Sequence, residues 1–141
     1  MSGLQTAVVD ADVFGLLFVR RGSSDPRIPR WRELLTGRQV LISFQTRAEL
    51  LAGALADSWG ERRIIDLRVI LDRTPTIRTD NEVIDAHATL AAECRRLGHG
   101  LQDPRHSGDR WVAACAVAKG VELLAGDGIY VGAPGVNLLH R

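Results

Sequence analysis

Short apolar blocks and longer amphipathic segments alternate along the chain. Five apolar runs have the length of buried strands, at residues 6–10, 39–43, 75–78, 121–125 and 136–139. Between them, apolar residues recur with helical spacing at residues 11–20, 29–35, 45–57, 59–72, 81–97 and 109–119. This order predicts an α/β fold with a mostly parallel central sheet of about five strands and helices on both faces.

Two of the helical segments have especially clear patterns. In residues 81–97 a spacing of four and three residues places five side chains on one face of a helix: Val83, His87, Leu90, Cys94 and Leu97. We therefore interpret His87 as a hydrogen-bonded core residue. Residues 109–119 are so rich in Ala and Val that we expect this helix to be buried, and residues 101–108 before it to form a polar loop.

Composition indicates one globular domain spanning residues 1–141. The chain is 45% hydrophobic and 25% charged, and no apolar run approaches the roughly 18 residues that a membrane span needs. The first residues lack the features of a signal peptide, and Cys94 and Cys115 lie in helical sequence, so we expect a cytoplasmic protein without a disulfide framework. A net charge of +1 argues against indiscriminate coating of nucleic acid.

Acidic residues follow several of the predicted strands. Asp10 and Asp12 come at the end of the first, Glu49 follows the second in the next helix, and Asp127 follows the fourth. In parallel α/β sheets functional groups collect beyond the carboxyl ends of the strands. Asp109 starts a helix after a long loop, so topology alone does not place it. Converging carboxylates repel one another, and a divalent cation such as Mg²⁺ or Mn²⁺ offsets that repulsion.

Each acid also has a purely structural interpretation. Asp10, Asp12 and Asp109 are favoured helix N-caps, and Asp127 with Gly128 is typical of a turn. Glu49 is also the third-position member of a capping box, a pattern that occurs three times, at Thr46/Glu49, Ser58/Glu61 and Thr79/Glu82. Their convergence on one edge, rather than any single acid, favours a functional site.

Four segments in order resemble the PIN-domain family of metal-dependent ribonucleases, and more narrowly VapC-type toxins. They are VVDADVF at 8–14, TRAEL at 46–50, GDRWVAA at 108–114 and LLAGD at 123–127. The resemblance implies that Asp10, Glu49, Asp109 and Asp127, hereafter the acidic quartet, surround Mg²⁺ or Mn²⁺ and hydrolyse RNA phosphodiesters. It also implies a homodimer and a cognate VapB-type antitoxin that covers the acidic pocket.

The sequence departs from the family pattern at two positions. Position 12, often Ser or Asn, is Asp here, which adds a candidate metal-site acid. Position 125, often Thr or Ser, is Ala, so a hydroxyl that holds a metal-bound water is missing. Both departures leave the acidic quartet intact, and we expect an active enzyme.

Arginines near these acids are candidates for RNA phosphate contacts. They are Arg20, Arg21, Arg27, Arg30, Arg32, Arg47 and Arg110. For those between residues 20 and 32, a solvated surface and a docking surface for an acidic partner segment are equally good interpretations. Trp31, Trp59 and Trp111 fit core packing or partner binding better than base stacking.

Two other functions compete with the ribonuclease. Asp10, Asp12 and Ser43 also resemble motifs of haloacid-dehalogenase phosphatases, in which Lys119 would have to supply the cation. That interpretation leaves Glu49 and Asp109 without roles. The other alternative is a PIN-like module that binds without cutting, against which the retention of all four acids argues.

Overall fold

The computed structural model describes residues 5–20 and 22–139, in which strands alternate with helices as predicted. The strands are β1 (Gln5–Val9), β2 (Arg38–Ser43), β3 (Thr76–Ile77) and β4 (Glu122–Leu124). The α-helices are α1 (Ala11–Phe14), α2 (Ile28–Leu35), α3 (Phe44–Ala56), α4 (Glu61–Arg73), α5 (Asn81–Leu97) and α6 (Ser107–Lys119). Within the described residues, no helix is both long and apolar enough to cross a membrane.

The strands form one parallel sheet in the order β3-β2-β1-β4. β1 lies inside it, with Val8 opposite Leu41 of β2 and Leu123 of β4. The predicted fifth strand at residues 136–139 shrinks to one parallel bridge between Leu138 and Leu123. Two backbone hydrogen bonds around Leu123 hold it, after Pro134 and Gly135 have turned the chain.

Helices cover both faces of the sheet, as the apolar strands predict. On one face Val8 and Leu123 pack with α5 and α6, including Leu90 and Cys115. On the other face the core joins the remaining helices and contains Val9, Val13, Trp31, Leu67 and Leu124. Successive residues of β1 thus point to opposite cores. The expected burial of α6 is confirmed, since Val112 to Ala116 are all buried.

Several local predictions differ from the structure. The predicted helix at 11–20 is α1 followed by a π-helical turn (Gly15–Val19). The polar loop contains two 3₁₀ turns (Gly100–Gln102 and Pro104–His106), and α6 begins two residues earlier than expected. Leu97 is exposed at the end of α5.

His87 differs from its predicted role as a hydrogen-bonded core residue. Its ring stacks on Trp111, with 3.8 Å between ring centroids, and Nε2 has no hydrogen-bond partner in the described chain. Burial, with Arg110 adding to the effect, lowers the pKa of His87, so the neutral ring is favoured in this stack.

Candidate active site

All five acids highlighted by the sequence line one cavity at the carboxyl edge of the sheet. This acidic cavity has a volume of about 280 Å³. Its walls are formed by Asp10, Ala11, Asp12, Glu49, Asp109, Val112, Asp127 and Tyr130. The acids come from the end of β1, from α1, α3 and α6, and from the turn after β4. The fold therefore brings Asp109, which topology alone left unplaced, to the same edge as the others.

Asp10 is the most deeply buried acid of the cavity, with 6% of its surface exposed. Its Oδ1 accepts a hydrogen bond from the backbone N–H of Val13, and its Oδ2 accepts one from Gly126. The residue is therefore the N-cap of α1 and a wall of the cavity at once. Burial is the main reason that the pKa of Asp10 is raised from 3.8 to about 6, and the nearby Asp12 raises it further.

Asp109 is held through both of its oxygens, in the first turn of α6. The hydroxyl of Tyr130 donates to Oδ1 at 3.2 Å, and His106 Nδ1 lies 2.8 Å from Oδ2. Burial, reinforced by the neighbouring carboxylates, raises the pKa of Tyr130. Its hydroxyl therefore stays protonated and remains a donor.

Glu49 has no part in helix capping. Ser43 caps α3 instead, its hydroxyl accepting from the Thr46 N–H at 3.0 Å. Asp80 caps α5, and α4 begins after Gly60 without a side-chain cap, so none of the three predicted capping boxes forms. Glu49 Oε1 accepts a hydrogen bond from Gln45 Nε2 at 3.1 Å. The carboxylate is thus available at the cavity.

Gly108 allows α6 to approach Glu49 closely. A Cβ atom at this position would lie 2.9 Å from Glu49 Oε1 and 2.8 Å from Gln45 Nε2. Both distances are shorter than the contacts that real Cβ atoms make. The glycine directly before Asp109 thus helps to bring two acids of the quartet into one cavity.

Asp12 lies at the rim of the acidic cavity and contacts Arg27. The Arg27 guanidinium is 3.4 Å from Asp12 and 2.9 Å from Asp25, and it donates to the Gly126 carbonyl at 3.2 Å. Hydrogen bonds from Arg27 hold the pKa of Asp25 below its usual value. Arg27 therefore ties α1, the loop before α2 and the turn after β4 together.

The donor set of the cavity fits a hard divalent cation, because every candidate ligand is a carboxylate. Within the described residues, no three His, Cys, Asp or Glu side chains already form a group that could hold a metal ion. Mg²⁺ commonly uses only one or two carboxylates, with water and substrate phosphate completing its coordination. Carboxylates spread over the walls of an open cavity are compatible with that mode of binding.

Sequence and structure comparisons identify the family. A family model of the PIN domain matches residues 7–131. The chain belongs to the PIN-domain family. No curated protein matches the sequence significantly.

Solved structures with similar folds share little sequence with this PIN domain. The DNA-bound VapBC2 complex of Rickettsia felis contains a chain with a TM-score of 0.74 and 18% identity, covering 95% of this chain and 97% of that one. A chain in DNA-bound VapBC of Salmonella typhimurium has a TM-score of 0.74 and 20% identity, and the match covers 95% of this chain and 96% of that one. The VapC20 toxin of Mycobacterium tuberculosis, which cleaves the sarcin-ricin loop, has a TM-score of 0.60 and 17% identity. The match covers 94% of this chain and 99% of that one. At these identities the likeness shows a shared fold.

Two residues that the phosphatase alternative requires, Ser43 and Lys119, lie away from the acidic cavity. Ser43 is fully buried, and its hydroxyl bonds to Thr46 rather than facing the cavity. Lys119 ends α6 and pairs with Asp80 and Glu82, at 2.7 and 3.3 Å. Neither residue lines the acidic cavity.

The candidate RNA-binding arginines are differently placed. Arg30 pairs with Glu33, and Arg47 pairs with Asp72. Arg110 donates to the carbonyl oxygens of Leu101 and Asp103, so it holds the 3₁₀ turns before α6. Arg27 pairs with Asp12 and Asp25. Arg20 and Arg32 are exposed, and Arg21 lies outside the described residues. RNA contact stays a prediction for all seven.

Sequence reasoning missed His106, Tyr130 and Gln45, which contact acids of the quartet. His106 precedes Asp109 by three residues, a spacing that places two side chains together at a helix start. Gln45 precedes Glu49 by four residues on α3. Tyr130 approaches Asp109 from 21 residues away, so no local pattern could have predicted its contact.

Proposed function

We propose that this PIN-domain protein is a divalent-metal-dependent endoribonuclease and the toxin of a toxin–antitoxin pair. The observation that carries the proposal is the convergence of carboxylates from separate elements on one cavity of about 280 Å³. Burial of Asp10 beside Asp12 adds support, because a cation removes the cost of ionising a carboxylate there. The VapC20 toxin, which has a similar fold, cleaves the sarcin-ricin loop.

The acidic quartet would hold Mg²⁺ or Mn²⁺. When bound, such a metal lowers the pKa of a coordinated water and stabilises charge that develops on a phosphoryl group. Backbone N–H groups of Val13 and Gly126 orient the Asp10 carboxylate, while the Tyr130 hydroxyl holds one oxygen of Asp109. Among the described residues no His or Lys lines the cavity, so a carboxylate would be the side chain placed to help take the proton of the attacking water.

The proposed substrate is a particular RNA structure rather than RNA in general. The net charge of +1 gives little attraction for indiscriminate binding. Arg27, which contacts Asp12 at the rim, and Arg30, which lines a neighbouring cavity that also includes Asp127, are already paired with acids. We therefore expect recognition to depend mainly on RNA shape and on local contacts around the scissile phosphate.

We further propose a VapB-type antitoxin as partner, a homodimer as the assembled state and the cytoplasm as the location. Chains of the same fold occur in VapBC complexes of Rickettsia felis and Salmonella typhimurium. An antitoxin arginine placed against the acidic cavity would be attracted by its carboxylates. Such a partner would block RNA and metal at the same site.

Cleavage of total cellular RNA by the purified protein tests the activity. We expect fragments with Mg²⁺ or Mn²⁺ and none with EDTA, and no cleavage by Asp10→Asn. Asp85→Asn, an exposed acid on α5, is the matched control and should cleave like the wild type. A wild type that cuts nothing with either metal, or an Asp10→Asn variant that cuts equally well, would refute the ribonuclease.

A second assay identifies the substrate. Mapping the new RNA ends produced in cells should show a few recurrent sites if the enzyme recognises particular structures. Ends scattered over all RNA classes would contradict that selectivity. Trapping of an aspartyl-phosphate on Asp10 would instead favour the phosphatase alternative.

A further inference from the structure

His106 contacts the acidic quartet without lining the acidic cavity. Its Nδ1 lies 2.8 Å from Asp109 Oδ2. An ionised carboxylate only accepts hydrogen bonds, so this contact is a hydrogen bond in the tautomer of His106 that carries a proton on Nδ1. The two side chains are only 27% and 29% exposed. The contact is therefore better shielded from water than an ordinary surface pair.

The other oxygen of Asp109 is held from a distant part of the chain. Tyr130 donates to Oδ1 at 3.2 Å, and its side chain is fixed by nearly complete burial. With one hydrogen bond on each oxygen, rotation of the carboxylate is restricted. Each oxygen keeps a lone pair for a further ligand.

The segment that carries His106 is itself anchored. His106 ends the 3₁₀ turn Pro104–His106, which begins with Asp103 accepting from the Arg105 N–H at 2.9 Å. Arg110 on α6 donates to the carbonyl oxygens of Leu101 and Asp103. The imidazole is thus held in place relative to the start of α6, where Asp109 lies.

We propose that His106 is a positioning residue, which orients Asp109 for metal binding and so supports RNA cleavage. The inference rests on the proposed function, because it takes Asp109 as a metal ligand. Groups that hydrogen-bond to metal ligands commonly contribute to metal affinity and activity. A contact that served only to start the helix would leave metal affinity unchanged.

Titration of Mn²⁺ alone into the purified full-length protein, followed by calorimetry, tests this role. We expect His106→Ala to weaken Mn²⁺ binding by about 10-fold or more. His106→Asn should restore most of the affinity, because its amide nitrogen is as far along the side chain as Nδ1. Gln102→Ala is the matched control, since Gln102 lines the same surface cavity of about 520 Å³ as His106, outside the hydrogen bonds to Asp109.

Kinetics provide a second measurement. Loss of positioning should lower kcat in His106→Ala more than it raises KM for RNA, because Asp109 is proposed to bind the metal and not the RNA directly. If the alanine variant does not fold, His106→Gln replaces it. Its amide nitrogen lies one bond further out, and it should bind Mn²⁺ more weakly than His106→Asn.

The inference fails if the wild type and the His106 variants bind Mn²⁺ equally, or if Gln102→Ala weakens binding as much as His106→Ala. These results would leave the ribonuclease proposal intact, provided that the wild type binds Mn²⁺ and cleaves RNA. A wild type that does neither refutes the proposed function and this inference together.

Discussion

The carboxylate of Asp12 occupies the space where a side chain of residue 126 would begin. A Cβ atom on Gly126 would lie 2.2 Å from Asp12 Oδ2 and 3.2 Å from Asp12 Cβ. Gly126 also donates its N–H to Asp10 and accepts from Arg27 through its carbonyl. With Asp12 in this position, only glycine fits at residue 126 without displacing the Asp12 side chain.

The first prediction tests that steric coupling. Gly126→Ala should destabilise the protein by about 1 kcal/mol or more, because Asp12 must leave its place. Asp12→Ala should remove most of that cost in the double variant, which a double-mutant cycle of urea unfolding measures. Gly128→Ala, in the same turn with nothing near its added Cβ, is the control. Equal costs of Gly126→Ala with and without Asp12 would contradict the coupling.

The second prediction concerns catalysis by Asp12. Its carboxylate is 48% exposed and lies 3.4 Å from Arg27 at the rim, so we expect it to act as a counter-ion rather than as the additional metal ligand that the sequence allows. An exposed pair contributes about 0–1 kcal/mol, so Asp12→Asn should keep RNA cleavage within about fivefold of the wild type. Initial rates measured beside Asp10→Asn check this. A loss as large as that of Asp10→Asn would make Asp12 a metal ligand.

The third prediction compares two helical glycines. A Cβ at Gly108 would collide with Glu49 and Gln45, whereas one at Gly53 on α3 would have nothing within 4 Å. Gly108→Ala should therefore displace the Glu49 carboxylate and lower cleavage by about 10-fold or more, an effect of the size seen when metal-site support is removed. Gly53→Ala should leave activity unchanged and stabilise the helix by about 0.5–1 kcal/mol.

Rates of RNA cleavage and thermal unfolding of both variants are the measurements. Because both substitutions are identical in chemistry, the difference between them isolates the approach of α6 to Glu49. If Gly108→Ala cleaves RNA as fast as Gly53→Ala does, close packing at Gly108 is not needed for the site.

The sequence predicted the fold where a local pattern specified it. Helices cover both faces of β1, so its residues are apolar on both faces. The unbroken apolar run Ala7 to Val9 in the sequence indicated this two-sided burial. The segment at 136–139 is also apolar, but whether it pairs along its length depends on distant contacts with Leu123. Two capping boxes failed because a neighbouring residue caps the helix instead: Ser43, three residues before Thr46, caps α3, and Asp80, one residue after Thr79, caps α5.

For the site, the sequence predicted which acids come together but not the contacts that hold their side chains. Parallel strand ends indicated a common edge for Asp10, Glu49 and Asp127, and the structure places all three there. The placement of Asp109 depends on the turns before α6, which Arg110 holds through backbone carbonyls. The contact with Tyr130 arises from tertiary packing, which periodicity and propensity do not encode.

The last prediction is a dependence of stability on pH in the metal-free protein. Burial raises the pKa of Asp10 from 3.8 to about 6, so the folded chain retains a proton that the unfolded chain releases. The contribution of Asp10 to stability is therefore greatest below about pH 4 and is lost as pH rises through 6, by about 3 kcal/mol in all. Other carboxyls, such as Asp25, have lowered pKa values, and their contributions to stability change with pH in the opposite direction.

Urea unfolding in EDTA between pH 4.5 and 7.5 should thus show that the wild type loses stability relative to Asp10→Asn as pH rises. Mg²⁺ should reduce that loss at pH 7.5 in the wild type alone, and parallel pH profiles of the two proteins would disprove the raised pKa.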